Sequence, residues 1–305
     1  MNITETKSVG QKWSEEEVGW LKLNYPIKGG NYCANYLGRK PKSIIKKTSS
    51  LKLRVNPDVT SKLQKESHRE RNKKRIYSVN PKQFYNIQTP EVAYVLGLLW
   101  ADGWIINKPC GHTVALACQL NDFNMFKPVF DKIGTWKTYN INRKNRKPAG
   151  EFKISNKPLV QFLMENDYLA KSSLSACKIL SRIPDNLKHM WFRGFLDGDG
   201  HIGRKGKIIS FCSSFEQDWT FLQKILDKNG LTYNIRRNEV ICKDNGKIHR
   251  NSYFVLHVSS TMIFGNFIYK DYLDNHIGLP RKFEIYSEIK DIKPRDYFRI
   301  FDIIL

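Results

Sequence analysis

Two aspartates, Asp102 and Asp199, close two stretches that read as versions of one pattern. The stretches are Val95-Leu-Gly-Leu-Leu-Trp-Ala-Asp-Gly103 and Phe192-Arg-Gly-Phe-Leu-Asp-Gly-Asp-Gly200. Each is an apolar helical run with glycine in its third position, ending in a small residue, Asp and Gly. Gly97 and Gly194 lack a Cβ and permit close backbone approach. Gly103 and Gly200 suit a left-handed stop after each helix. A carboxylate at a helix C-terminus opposes the helix dipole, so a placement made twice argues for chemistry rather than capping. Carboxylates hold hard divalent cations such as Mg²⁺, which keep several of their waters. Such an ion activates water and neutralises a departing oxygen in phosphodiester hydrolysis.

The elements that must position these carboxylates repeat as well. After the first stretch, Val114–Cys118 reads as a strand, and Phe123, Phe126, Val129, Phe130 and Ile133 recur at helical spacing up to Gly134. After the second, Ile208–Cys212 is a strand, and Trp219, Leu222, Ile225 and Leu226 mark a helix up to Gly230. Phe152–Asn156 and Leu256–Ser260 are strands that run on into further apolar helices. The order helix, strand, strand, helix, strand, strand, helix therefore occurs twice. This predicts an α+β chain with internal duplication and pseudo-two-fold symmetry.

The two stretches resemble the paired motifs of LAGLIDADG homing endonucleases, and the resemblance spans about residues 86–305. It implies two antiparallel sheets forming a DNA-binding saddle beneath two central motif helices, which bring Asp102 and Asp199 together at their C-terminal ends. It implies a site-specific, metal-dependent double-strand break leaving short 3′ overhangs, with Mg²⁺ as cofactor and Mn²⁺ as substitute. The carbonyls of Ala101 and Gly198 would also face metal. The first copy departs from the family by having Trp100 where the second has Asp197, which argues against Asp197 as a ligand; Arg193 replaces a small residue. Lys171 and Lys282 match the basic residues that the family sets near its metals, and Gln119 and Ser214 could position water. DNA recognition would fall to Thr138, Asn140 and Asn142 on one strand face, and to Arg236 and Asn238 on another. The hairpin donors Arg143, Lys144, Arg146, Lys147, Lys247 and Arg250, with Arg204, would join them.

Charge points the same way. Lys and Arg number 51 against 29 Asp and Glu, a net +22 that favours a polyanionic partner. Residues 1–55 read as a small all-α module. Ser14 and Glu17 form a capping box, Pro26 through Gly30 ends the first helix, Asn31–Leu37 makes a second, and Pro41 opens a third. The three helices resemble the helix-turn-helix modules appended to phage and mobile-element endonucleases. By that resemblance the third presents Lys42, Ser43, Lys46, Lys47 and Ser50 to the major groove. Residues 56–85 read as a basic linker, 86–182 as the first repeat and 183–305 as the second. The six cysteines contain no C-x-x-C pair, which fits a reduced protein without a zinc site. The opening residues are neither a signal nor a transit sequence, and no run is long enough to span a membrane. We therefore expect a monomeric, intracellular protein, cytoplasmic or nucleoid-associated, encoded by the host, a phage or an organelle. Double-stranded DNA is the first partner expected; an intron RNA bound by a maturase, or a non-cleaving regulator on the same scaffold, are the other readings.

Overall fold

The computed structural model describes residues 12–73, 76–109, 111–142, 147–213, 216–241 and 248–291. The chain divides into two compact units, Met1–Ile76 and Tyr77–Leu305, each with its own apolar core.

In the first unit, α1 (Glu15–Lys28), α2 (Gly30–Leu37) and α3 (Pro41–Ser50) close round Leu21, Cys33, Ala34, Leu37 and Ile44. The capping box is present: Glu17 N–H donates to Ser14 Oγ at 3.1 Å, and Ser14 N–H to the Glu17 carboxylate at 3.0 Å. Pro26 does not end α1, which runs on to Lys28. A proline in the last turn removes one backbone donor, whereas Gly29, at φ 80°, turns the chain out of the helix. The Glu17 carboxylate also takes the Arg39 guanidinium at 2.7 Å, and Arg39 lies over the Trp13 ring at 4.2 Å. This buried pair ties the α2–α3 turn to the start of α1.

The stretch expected as a linker over 56–85 divides between the units. Residues 57–73 form α4 (Pro57–Lys73) and fall in the first unit. In the second unit, β1 (Ser78–Val79) pairs with β4 (Gly134–Thr135). Val79, and Phe84 of α5 (Lys82–Tyr85), are buried in its core. Val79 and Phe84, four and nine positions beyond the basic run that ends at Arg75, bind this end to the core.

The rest of the second unit is built on two motif helices, α6 (Pro90–Ala101) and α10 (Lys188–Asp199), packed against each other. α6 is followed by β2 (Gly103–Lys108), β3 (Gly111–Gln119), α7 (Leu120–Ile133), β5 (Lys137–Ile141), β6 (Ala149–Ser155) and α8 (Lys157–Glu165), with α9 (Cys177–Leu180) leading on. α10 is followed by β7 (Gly200–Gly203), β8 (Ile208–Ser213), α11 (Thr220–Lys228), β9 (Tyr233–Ile241), β10 (Ile248–Leu256) and α12 (Val258–Tyr269), then α13 (Tyr272–Asn275) and α14 (Pro280–Asp291). Both four-stranded sheets are antiparallel, in the orders β2-β3-β6-β5 and β7-β8-β10-β9. α6 is buried from Val92 to Trp100, so its apolarity on every side is that of a core helix.

The two motif glycines let these helices touch through their backbones. A Cβ on Gly97 would lie 2.0 Å from the Trp191 carbonyl oxygen, and one on Gly194 would lie 2.1 Å from that of Tyr94. Gly103 and Gly200 serve otherwise than expected. Neither has a positive φ; Gly200 is extended at φ −92°, ψ 157°. Each strand folds back so tightly on the last helical turn that a Cβ would meet the carbonyl of Leu99 or Leu196 at 2.6 Å.

Candidate active site

The helix ends bring Asp102 and Asp199 into one neighbourhood. Gly198 has to be small there: a Cβ on it would lie 2.3 Å from that of Ala101 and 3.4 Å from Asp102 Oδ2. Burial raises the pKa of Asp102 above the ordinary carboxylate range, against the pull of Lys171 and Lys282. Burial also raises Asp199, and the negative charge of Asp102 adds to the effect. Two partly desolvated carboxylates that repel each other favour a nearby positive charge.

The two lysines supply only part of it. Lys171 Nζ donates to the carbonyls of Ala101 at 2.5 Å and Leu99 at 3.2 Å. Lys282 Nζ donates to those of Leu196, Gly200 and Asp197 at 2.5, 2.7 and 2.9 Å. Each ammonium thus caps the C-terminus of one motif helix, satisfying carbonyls that the helix leaves unpaired and placing a cation at its negative end. Burial lowers the Lys282 pKa to about 8, and burial likewise lowers Lys171. Ala101, expected to offer its carbonyl to metal, has that oxygen engaged by Lys171.

Asp197, which lines the same cleft as Asp102, and Arg193 are both held by structural partners. The Tyr94 hydroxyl and the Leu279 amide both donate to Asp197 Oδ2, at 2.7 and 2.9 Å. Arg193 points away from α6 and is fully buried, donating to the carbonyls of Ile268 and Ile277 and to Asp271. Beside it, His189 Nε2 lies 2.7 Å from Asp271 Oδ2.

Gln119 ends β3, is exposed, and lines one cleft with Asp102, Asp122, His201, Arg281 and Lys282. Arg281 clamps Asp122 through both carboxylate oxygens, at 3.1 and 2.8 Å, joining α14 to α7 across the cleft. The sequence reading missed Asp122, His201 and Arg281 as members of this site. His201 follows Gly200 and Arg281 precedes Lys282, so adjacency was the available signal for those two; Asp122, in the first turn of α7, lies twenty residues beyond Asp102. Ser214 lies outside the described residues.

With this geometry in view, the chain was compared with known proteins. No protein-family model matches it, and no curated protein matches it. Among solved structures it is similar to mesophilic variants of the homing endonuclease I-DmoI, at 13% identity and TM-score 0.41 over 61% of this chain and 98% of that one. It is similar to the homing endonuclease I-WcaI bound to its DNA recognition sequence, at 13% identity and TM-score 0.44 over 67% and 91%. Full-length DUF199/WhiA from Thermatoga maritima shares 13% identity at TM-score 0.38 over 68% of this chain and 63% of that one. Likenesses this distant say nothing of what the chain does; that reading rests on its own residues.

Strand register sorts the expected DNA contacts by face, because directly opposed residues point the same way. Phe152 and Gly150 of β6 face the helices, Gly150 lying against Phe123. Thr138 and Asn140 oppose them and therefore share that covered face. The other face of this sheet carries Lys137 and Tyr139 with Lys153, Gln119 and Trp104. Thr138 and Asn140 are nonetheless exposed, as is all of β5 but the half-buried Ile141. In the second sheet Phe211 and Phe254 are buried, so Arg236 and Asn238 lie on the open face with Tyr253 and His201. Arg204 and Arg250 are less free than their sequence suggests. Arg204 grips Glu288 at 2.6 Å, and Arg250 pairs with Glu239 at 2.9 Å on the covered-face side of its strand. Asn142 and Lys147 are exposed beyond the strand ends; Arg143, Lys144, Arg146 and Lys247 lie outside the described residues.

On α3, Lys42 and Lys46 are exposed, whereas Ser43 and Lys47 are half-buried. The Lys47 ammonium lies 5.8 Å from the Trp13 ring centre, on the inner side of the helix.

Proposed function

We propose that this protein is a site-specific endonuclease of double-stranded DNA, formed by two repeats about a pseudo-two-fold axis and depending on a divalent cation. The observation that carries this reading is the meeting of Asp102 and Asp199 at the ends of two helices in backbone contact, where desolvation raises both carboxylates and the charge of Asp102 raises Asp199 further. Their donor chemistry fits Mg²⁺ or Mn²⁺: two carboxylate ligands, with water and substrate phosphate left to complete the shell. Among the described residues no group of three or more His, Cys, Asp and Glu could hold a metal; the ligands proposed are these two side chains. Bound there, the cation would lower the pKa of water and offset charge on the leaving 3′ oxygen.

The chain's own residues do the positioning. Lys171 and Lys282 fix the helix ends that carry the two carboxylates, and their charge at close range favours the ionised forms. Gln119, at the cleft margin, is placed to orient a water, and each Asp would serve mainly one strand. Lys137, Lys153 and Arg236 on the open sheet faces provide cations for the phosphates, and Asn238 an amide suited to a base edge. The expected product is a duplex break with short 3′ overhangs.

The test is incubation of the protein with DNA from its own locus, with Mg²⁺, with Mn²⁺ and with chelator, followed by mapping of both ends. Breaks at one site that need the cation support the reading. Intact DNA under every condition, despite specific binding, would make the protein a non-cleaving DNA-binding protein.

A further inference from the structure

The first unit presents a feature that neither its core nor its lysines require. Ile44 and Thr48 of α3 turn inward and are 0% and 2% exposed, but the neighbouring Ile45 is 60% exposed. It sits in a shallow surface groove with Lys42, Lys46, Ser49 and Ser50. Among the described residues, neither Lys42 nor Lys46 is ion-paired. A solitary exposed apolar residue is ordinary. A β-branched one at the edge of a cationic helix face is less so, since a straight-chain residue would suit the exposed helix better.

We propose that Ile45 reads thymine: its side chain contacts the C5-methyl group of a thymine in the major groove, while Lys42 and Lys46 hold the flanking phosphates. This rests on the duplex-DNA reading above. The thymine methyl is the one apolar mark that B-DNA displays in that groove, and an aliphatic side chain is its complement. Ile45 and Lys46 follow Lys42 by three and four positions, so both neighbour it on one side of the helix. The charge complementarity that selects DNA as occupant therefore lies directly beside the apolar contact. Lys47, facing Trp13, is left out of this surface and serves the fold of the unit.

The experiment uses the full-length protein in chelator, so that DNA is bound and not cut, and duplexes selected by it from a random library. Each thymine of the selected duplex is replaced in turn by deoxyuridine, which removes only the methyl. At one or two clustered positions the replacement should weaken wild-type binding about fourfold, the worth of one buried methyl. Ile45→Ala should weaken binding to the thymine duplex by a similar or larger factor and be indifferent to the replacement there. Ile45→Val should retain part of the preference. Because Ile45 is exposed, the alanine variant should melt with the wild type. Deoxyuridine penalties that are absent, or identical in Ile45→Ala, would overturn the proposal. Lys42→Ala and Lys46→Ala separate this failure from a deeper one. Each should weaken binding and lower the salt slope by about one contact. If neither does, the first unit does not grip this DNA and the proposal falls; failure of the full-length protein to select any duplex is the separate outcome that would sink the duplex-DNA reading.

Discussion

Asp102 and Asp199 are isosteric with asparagine, so Asp102→Asn and Asp199→Asn separate charge from shape. Each change should cut double-strand cleavage by about a hundredfold or more, the scale on which loss of one preorganised electrostatic contact acts. Binding of the target should persist, and a nick left in one strand would identify which Asp serves which strand. Gel assays on a supercoiled substrate distinguish the two products, and normal linearisation by either variant would remove that residue from the site. His189 supports a pH prediction. Burial holds its pKa below the ordinary value despite the hydrogen bond to Asp271, and its Nδ1 finds no partner among the described residues. The unfolded chain takes up a proton on this histidine below about pH 6.5, and the folded chain does so only at lower pH. The unfolded state then binds more protons, so the histidine's contribution falls as the pH drops from about 6.5 through the folded-state pKa. His189→Gln can keep a donor toward Asp271 without this titration. The stability difference between wild type and variant, from urea melts between pH 7.5 and 5, should therefore move in favour of the variant on acidification. A difference independent of pH would show that His189 does not titrate differently on folding. Asp271 itself is held well below the usual range by His189 and Arg193, so its loss belongs to a far more acid region.

At the scale of elements, the contact of α6 with α10 depends on two absent methyl groups. Gly97→Ala or Gly194→Ala places a carbon about 2 Å from a carbonyl oxygen of the facing helix, where neither backbone can yield without separating the helices. We expect each to cost about 3 kcal/mol or more, with a melting temperature lower by about 6–12 °C. Cleavage should fall further than folding does, because the same separation moves the two carboxylates apart. Calorimetry beside activity on the folded fraction reads both, and a stable, fully active Gly194→Ala would refute the close packing. The lysine caps act at this scale too. Lys282→Met leaves three carbonyl oxygens at the α10 end without their donor, which should lower stability by about 2 kcal/mol or more. Lys282→Met melting like the wild type would show that the cap is dispensable.

Across the whole molecule, two cores separate into residues 1–76 and 77–305, so each unit has the means to fold alone. Deleting residues 1–76 should leave the second unit folded and able to cut at the same position if it is the nuclease we propose. The truncated protein should bind more weakly, with a shallower dependence on salt and a footprint shortened at one end. Unchanged affinity, salt slope and footprint would make the first unit a stabilising or protein-contact module. Much of this architecture was legible in the chain alone. The two helices ending in Asp-Gly, the strand and helix order after each, the capping box at Ser14 and the inward Ile44 and Thr48 all arise from periodicity and neighbouring residues, which are local properties. So does the need for glycine at 97 and 194, because two copies of one pattern imply one kind of contact. Other features depended on partners distant in sequence. Lys171 and Lys282 were visible as cations near the site, but a long side chain delivers its charge wherever acceptors remain unpaired. Those acceptors, the last carbonyls of α6 and α10, lie about seventy and eighty residues away. The face of β5 was settled by pairing with β6, since Thr138 and Tyr139 are equally polar to the eye and only the opposed Phe152 distinguishes them. Arg204 and Arg250 looked free until Glu288 and Glu239 were brought beside them. Sequence by itself determined most of the helices and strands and where charge is abundant, but not the elements within 56–85 nor the helix that begins at Val258 where a strand was expected; tertiary structure decided which of those charges remain available, because pairing and burial are set by neighbours that the chain meets only on folding.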